Sequence, residues 1–141
     1  MKNVTMDGFV VDHLGVAVRS VEAARKFYEM LGLQVTGEEV IEHERVRVAM
    51  VPVGETRIEL LEPTHPDSVV GRFLSKRGEG LHHVALRVPD LAATVARLQE
   101  QGARLISEEI KIGAGGHRYV FVHPSSAGGV LIELCEETLK K

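Results

Sequence analysis

Apolar and polar positions alternate along residues 10–18, a Val-rich stretch with the period of a half-buried strand. The period then changes. Ser20 stands where a helix cap is needed, Val21, Ala24, Phe27, Tyr28 and Leu31 recur at helical spacing, and Gly32 supplies a left-handed stop. Period-two stretches return at 34–41, 45–53 and 56–62, the last two joined by a turn at Gly54-Glu55. Residues 64–80 form a linker in which Asp67 is positioned to cap a short helix with Val69, Val70, Phe73 and Leu74 on its apolar side. From Leu81 the plan repeats: a strand through Val88, a cap at Asp90, a stripe of Leu91, Val95 and Leu98, a stop at Gly102, and strands over 104–112, 119–123 and 129–136. The glycine-rich stretch Gly113-Ala114-Gly115-Gly116 and a turn over 124–128 separate the last three. Each half spells β-α-β-β-β. The chain is therefore read as one α+β domain, residues 1–141, made of tandem modules at 8–63 and 81–137 around the linker.

Two pairs of segments sharpen the repeat. Asp12-His13-Leu14-Gly15-Val16-Ala17-Val18 matches His82-His83-Val84-Ala85-Leu86-Arg87-Val88, with His13 and His83 in equivalent places. Ile58-Glu59-Leu60-Leu61-Glu62 matches Ile132-Glu133-Leu134-Cys135-Glu136. Because strand side chains alternate, His13 shares a face with the small residues Gly15 and Ala17, and His83 with Ala85, while Leu14, Val16, Val18, Val84, Leu86 and Val88 face the other way. Small neighbours leave room for a ligand close to the imidazole. Glu59 and Glu133 lie on faces shared with leucine, where a carboxylate is costly to bury without a cation or donor. Two imidazoles and two carboxylates suit a borderline divalent ion, and four protein ligands on an octahedral ion leave two positions for substrate. A lone strand histidine is more often a hydrogen-bonded core residue; its recurrence at matching places in both halves is what favours the metal.

The remaining histidines carry weaker signals. His82 points away from His83 and reads as a helix-facing or edge residue. His43 and His65 lie in polar, loop-like contexts and read as solvated. His117 and His123 flank the last hairpin, where substrate contact and simple turn chemistry are both open. The glycine-rich stretch reads as a turn, since no helix follows it as a phosphate-binding loop requires.

Composition narrows the partners. The 141 residues are 44% hydrophobic and 26% charged with a net charge of -3, ordinary for a globular protein, and no apolar run reaches the roughly 20 residues of a membrane span. The N-terminal stretch 1–7 carries an acid and lacks the apolar core of a secretory signal, which favours the cytoplasm. One cysteine, Cys135, excludes an internal disulfide and sits in an apolar strand, the setting of an inert buried thiol. Basic residues cluster only at Lys140-Lys141, and four Phe and two Tyr give no platform for nucleic acid. A small molecule is the partner left.

The two His strands, the run Ser107-Glu108-Glu109-Ile110-Lys111-Ile112-Gly113-Ala114-Gly115-Gly116, the pair His123-Pro124 and the segment 128–134 together resemble the methylmalonyl-CoA epimerases of the vicinal oxygen chelate (glyoxalase/bleomycin resistance/dioxygenase) superfamily. The His strands are shared across that superfamily. The His-Pro pair, the run through Lys111-Ile112-Gly113 and the stretch from Ile58 to Pro63 leading into Asp67-Ser68 and Phe73-Leu74 are the more discriminating.

The resemblance implies eight strands in an open, barrel-like arrangement around a metal, with His13, Glu59, His83 and Glu133 as ligands. Some family members have glutamine in place of Glu59. It implies Co²⁺ foremost among divalent ions, with Mn²⁺, Ni²⁺, Zn²⁺ or Fe²⁺ as alternatives, an acyl-CoA substrate and a homodimer. The implied reaction interconverts the C2 configurations of methylmalonyl-CoA by 1,1-proton transfer through a metal-stabilised enolate. Glu133 is the candidate acid/base on one face. The second is unassigned: relatives place a glutamate on the third strand where this chain aligns Arg47, and Glu44 is nearby but out of register. The rival readings are a glyoxalase I-like lyase or other metal-dependent member, and a non-catalytic small-molecule-binding member of the same fold.

Overall fold

The computed structural model describes residues 8–136. The stretch 1–7, position 137 and the pair Lys140-Lys141 lie outside the described residues. Elements follow in the order β1 (Val10–Ala17), α1 (Val21–Met30), β2 (Gly37–Ile41), β3 (Val46–Val53), β4 (Thr56–Pro63), α2 (Val69–Arg77), β5 (Gly80–Arg87), α3 (Leu91–Glu100), β6 (Lys111–Ile112), β7 (Arg118–Val122) and β8 (Ile132–Glu136). The strands hydrogen-bond in the order β2-β3-β4-β1-β5-β8-β7-β6. This is one pattern written twice: β1 lies beside β4, then β3 and β2, and β5 beside β8, then β7 and β6. The architecture is α+β on the tandem β-α-β-β-β plan that the periodicity predicts. Among the described residues no helix is long and apolar enough to cross a membrane.

Two compact units divide the chain, His13–His83 and the described residues on either side of it, 8–12 with 84–136. In the first, Val18, Val21, Ala49, Val51 and Leu60 are buried together, with Val16, Ala24, Tyr28, Leu33 and Val35 packed around them. In the second, Val88, Leu91, Val95, Val120, Val122 and Leu134 form the core, with Leu86 and Leu98 against it. Val18 and Val88, Val21 and Leu91, and Leu60 and Leu134 are the same positions of the repeat. Each module therefore buries the helix-facing side of its strands, and by alternation the His and Glu positions project from the other side.

The helix ends follow the sequence. Ser20 accepts from Ala23 N–H at 3.1 Å and Asp90 from Ala93 N–H at 3.1 Å, and the stops Gly32 and Gly102 adopt φ of 92° and 83°. One further contact repeats in both units: Val21 N–H donates to Glu62 Oε1 at 2.8 Å, and Leu91 N–H to Glu136 Oε1 at 2.8 Å. The last glutamate of each closing strand thus satisfies an orphan donor in the first turn of its own helix, where the helix dipole favours a negative charge.

Three expectations need correction. The cap of α2 is Ser68, which accepts from Gly71 N–H at 3.0 Å and donates to the His65 carbonyl at 2.8 Å. Asp67, one residue earlier, is exposed. The stripe of α1 is narrower than the pattern suggested, because Phe27 and Leu31 are 57% and 61% exposed while Val21, Ala24 and Tyr28 meet the core. Residues 104–112 are not one strand: a single bridge joins Leu105 to Val122, and β6 keeps two residues. There the Ser107 hydroxyl accepts from Glu109 N–H at 3.2 Å, a local turn that competes with the sheet ladder.

Candidate metal centre

Parallel pairing of β1 with β4 places Gly15 opposite Glu59, and parallel pairing of β5 with β8 places Ala85 opposite Glu133. In each module the glutamate is thus registered on the residue two positions after the histidine, on the same side of the strand. His13, Glu59 and His83 are buried, 4%, 4% and 5% exposed, and all belong to the first unit. Their side chains are in contact. His13 Nε2 lies 3.2 Å from His83 Nε2, the rings meeting edge to face, and His13 Nδ1 lies 3.4 Å from Glu59 Oε2.

Glu59 is braced from behind. Arg57 donates from Nε at 3.0 Å to Oε2, with Nη2 at 2.9 Å from the same oxygen. A carboxylate carries about four lone-pair sites, so Oε1 adds acceptor capacity that this contact does not use. Glu133, in the second unit, is buried at 9% exposure at the position of β8 that corresponds to Glu59. Position 131, which corresponds to Arg57, is leucine.

The donor set fits a divalent ion. Two nitrogens 3.2 Å apart subtend about 100° at an ion placed at the usual 2.0–2.1 Å from each, within the range of tetrahedral and octahedral sites. Two imidazoles with carboxylate suit the borderline metals. Room for His83 depends on Gly15: a Cβ there would stand 2.3 Å from His83 Cε1 and 2.7 Å from its Nε2. Gly15→Ala is expected to lower stability by roughly 1–3 kcal/mol and to weaken Co²⁺ binding by displacing the imidazole, as denaturant unfolding and calorimetric titration would read. Wild-type values for both would show that the imidazole has another place to go.

The other residues singled out have partners of their own. Asp12, next to His13, is buried in the second unit and pairs with Arg87 Nη1 at 3.2 Å. Glu44 lies in the short turn Glu42–Glu44 before β3, 3.8 Å from His43. Arg47 is on β3, 3.7 Å from Glu38. His123 takes part in its turn, its Nδ1 accepting from Ser125 N–H at 3.0 Å, and His65 likewise accepts from Asp67 N–H at 3.0 Å. His117 follows the glycine turn, its carbonyl accepting from Gly113 N–H at 2.8 Å. His82 faces α2 as expected, ring edge to face with Phe73, yet its Nδ1 is also 2.9 Å from His83 Nδ1. The alternation rule missed that contact because Nδ1 sits close to the backbone, where adjacent side chains still meet.

With this geometry in place, similarity to known proteins becomes informative. The Glyoxalase/Bleomycin resistance protein/Dioxygenase superfamily matches residues 12–121. The mitochondrial methylmalonyl-CoA epimerase of Bos taurus is 42% identical over 126 residues, covering 88% of this chain and 72% of that protein. The chain belongs to the methylmalonyl-CoA epimerase family. Epimerase structures share its fold at high similarity. A methylmalonyl-CoA epimerase in complex with methylmalonyl-CoA and NH4+ superposes with a TM-score of 0.87 at 38% identity, covering 91% of this chain and 94% of that one. A variant Streptomyces coelicolor methylmalonyl-CoA epimerase in complex with 2-nitronate-propionyl-CoA gives 0.89 at 37% identity, covering 94% and 96%. The epimerase fold accounts for the duplicated plan, in which each module brings a histidine strand and a glutamate strand side by side.

Proposed function

We propose that this protein epimerises methylmalonyl-CoA at C2, using a divalent ion held by His13, Glu59, His83 and Glu133. The observation that carries the reading is the meeting of His13 Nε2 and His83 Nε2 beside the Arg57-braced Glu59, in a chain similar to methylmalonyl-CoA epimerases over most of its length. The register of Glu133 on Ala85, equivalent to that of Glu59 on Gly15, supports its place as the fourth ligand. Co²⁺ is the first choice of ion, and a homodimer the proposed working form, both on family resemblance.

A proton next to a thioester is weakly acidic, and its removal leaves a planar, charged centre. That a relative takes up a nitronate, itself planar and anionic, supports an enolate-like species on the path. A divalent ion bound here supplies Lewis acidity toward substrate oxygens. Glu133 takes or returns the C2 proton on one face. The group for the opposite face is unassigned, with Glu44, a water and His117 as the candidates. Burial of His13, Glu59, His83 and Glu133 limits competition by bulk water for the ion.

The test is solvent exchange. In deuterated water, Co²⁺-loaded protein is expected to wash deuterium into C2 of methylmalonyl-CoA, read by proton NMR or mass spectrometry, and to leave the hemithioacetal substrate of a glyoxalase unturned. Exchange into the latter alone would move the protein to lyase chemistry. A protein that takes up no added Co²⁺ or Mn²⁺ and exchanges neither substrate would be a binder.

A further inference from the structure

His82 is the one histidine near the centre to which the proposed reaction gives no task. Its ring packs edge to face on Phe73 of α2, centroids 5.0 Å apart, and Arg77 lies over that Phe73 ring at 5.8 Å. Its Nδ1 is 2.9 Å from His83 Nδ1. A contact of that length between two ring nitrogens requires one proton between them, so one imidazole donates and the other accepts. The opposite edge of His83 poses the same question, since its Nε2 is 3.2 Å from His13 Nε2.

If both Nε2 atoms hold an ion, both must be bare. The single proton of neutral His83 then resides on Nδ1, and the only direction left for the bond to His82 is donation from His83. We propose that His82 is a positioning residue: its Nδ1 accepts from His83 Nδ1–H, fixing the tautomer and the ring plane that aim the His83 Nε2 lone pair at the ion. His13 is served in the same way by Glu59 Oε2, 3.4 Å from its Nδ1. The chain His82–His83–His13–Glu59–Arg57 is then a row of contacts in which His83 and His13 each turn Nδ1 to a neighbour and Nε2 toward the centre. No change in total protonation is needed, only a choice of which nitrogen of His83 carries the hydrogen. Phe73 matters because it holds the His82 ring in place. This inference rests on His83 being a ligand.

Its test separates the two. His82→Phe keeps an aromatic ring against Phe73 and removes the acceptor, whereas His82→Asn restores an acceptor at the place of Nδ1 without the ring. Calorimetric titration of the full-length protein with Co²⁺ is expected to give a Kd roughly 10- to 100-fold weaker for His82→Phe, with much of that loss recovered in His82→Asn. Nitrogen-15 NMR of the Zn²⁺-loaded wild type should show the His83 proton on Nδ1. An unchanged Kd in His82→Phe, or a His83 proton on Nε2, would overturn the assignment. His83→Ala is run beside them. If it binds Co²⁺ like wild type, the ligand reading itself fails; if it loses Co²⁺ while His82→Phe binds normally, only the role of His82 falls.

Discussion

His83→Ala is expected to abolish stoichiometric Co²⁺ binding and to lower kcat by at least about a thousandfold, the two losses going together. The substitution removes one of two imidazoles whose Nε2 atoms meet at 3.2 Å, and the residual set of His13, Glu59 and Glu133 offers a weaker, less ordered grip. Metal stabilisation of developing charge is worth several kcal/mol, and each 1.36 kcal/mol is about tenfold in rate, which sets the scale of the loss. Elemental analysis and turnover measured on the same preparation check it. His65→Ala is the control: that ring is exposed and serves the turn before α2, so metal content and rate should stay at wild-type levels. Full turnover in metal-free His83→Ala protein would remove the metal from the mechanism.

Glu133→Gln should behave differently, lowering kcat by roughly 10²- to 10⁴-fold while metal content falls far less. The amide keeps an oxygen of the same shape at the ligand position but cannot accept a proton at carbon-transfer rates. The choice of Glu133 over Glu59 as base follows from an asymmetry in the repeat. Glu59 has the Arg57 guanidinium two positions earlier, its Nε and Nη2 both on Oε2, while the equivalent position before Glu133 is Leu131. A carboxylate braced by a cation suits a fixed structural ligand, and no arginine stands two positions before Glu133. Single-turnover deuterium exchange with the two isosteric variants, Glu59→Gln and Glu133→Gln, reads this directly. Equal rates for Glu133→Gln and wild type would take Glu133 out of the proton transfer.

Much of this arrangement was legible in the residues because the chain repeats itself. Ser20 and Asp90 as caps, Gly32 and Gly102 as stops, and the burial of Val18, Leu60, Val88 and Leu134 on the helix side all follow from local chemistry and strand alternation. The four candidate ligands came from the same rule. What local pattern could not supply were choices settled by competing partners. Asp67 and Ser68 are both good caps, and the buried hydroxyl that also reaches the His65 carbonyl prevails. Residues 104–112 have the composition of a strand, but the Ser107 hydroxyl closes a turn on its own backbone. Phe27 lies one position from Tyr28 on α1, about 100° round the helix, and leaves the core to its neighbour.

The last glutamates of β4 and β8 have a bearing on catalysis although neither belongs to the centre. Glu59 and Glu62 are three positions apart, an odd interval, so one strand carries its acids to opposite sides: one toward the His pair, the other to the Val21 amide. Glu133 and Glu136 are spaced identically, and Glu136 grips the Leu91 amide. The helix anchor therefore acts as a phasing pin: were β4 to slide by a single residue, the pin would leave its hole and the aimed carboxylate would turn into the hydrocarbon beneath α1.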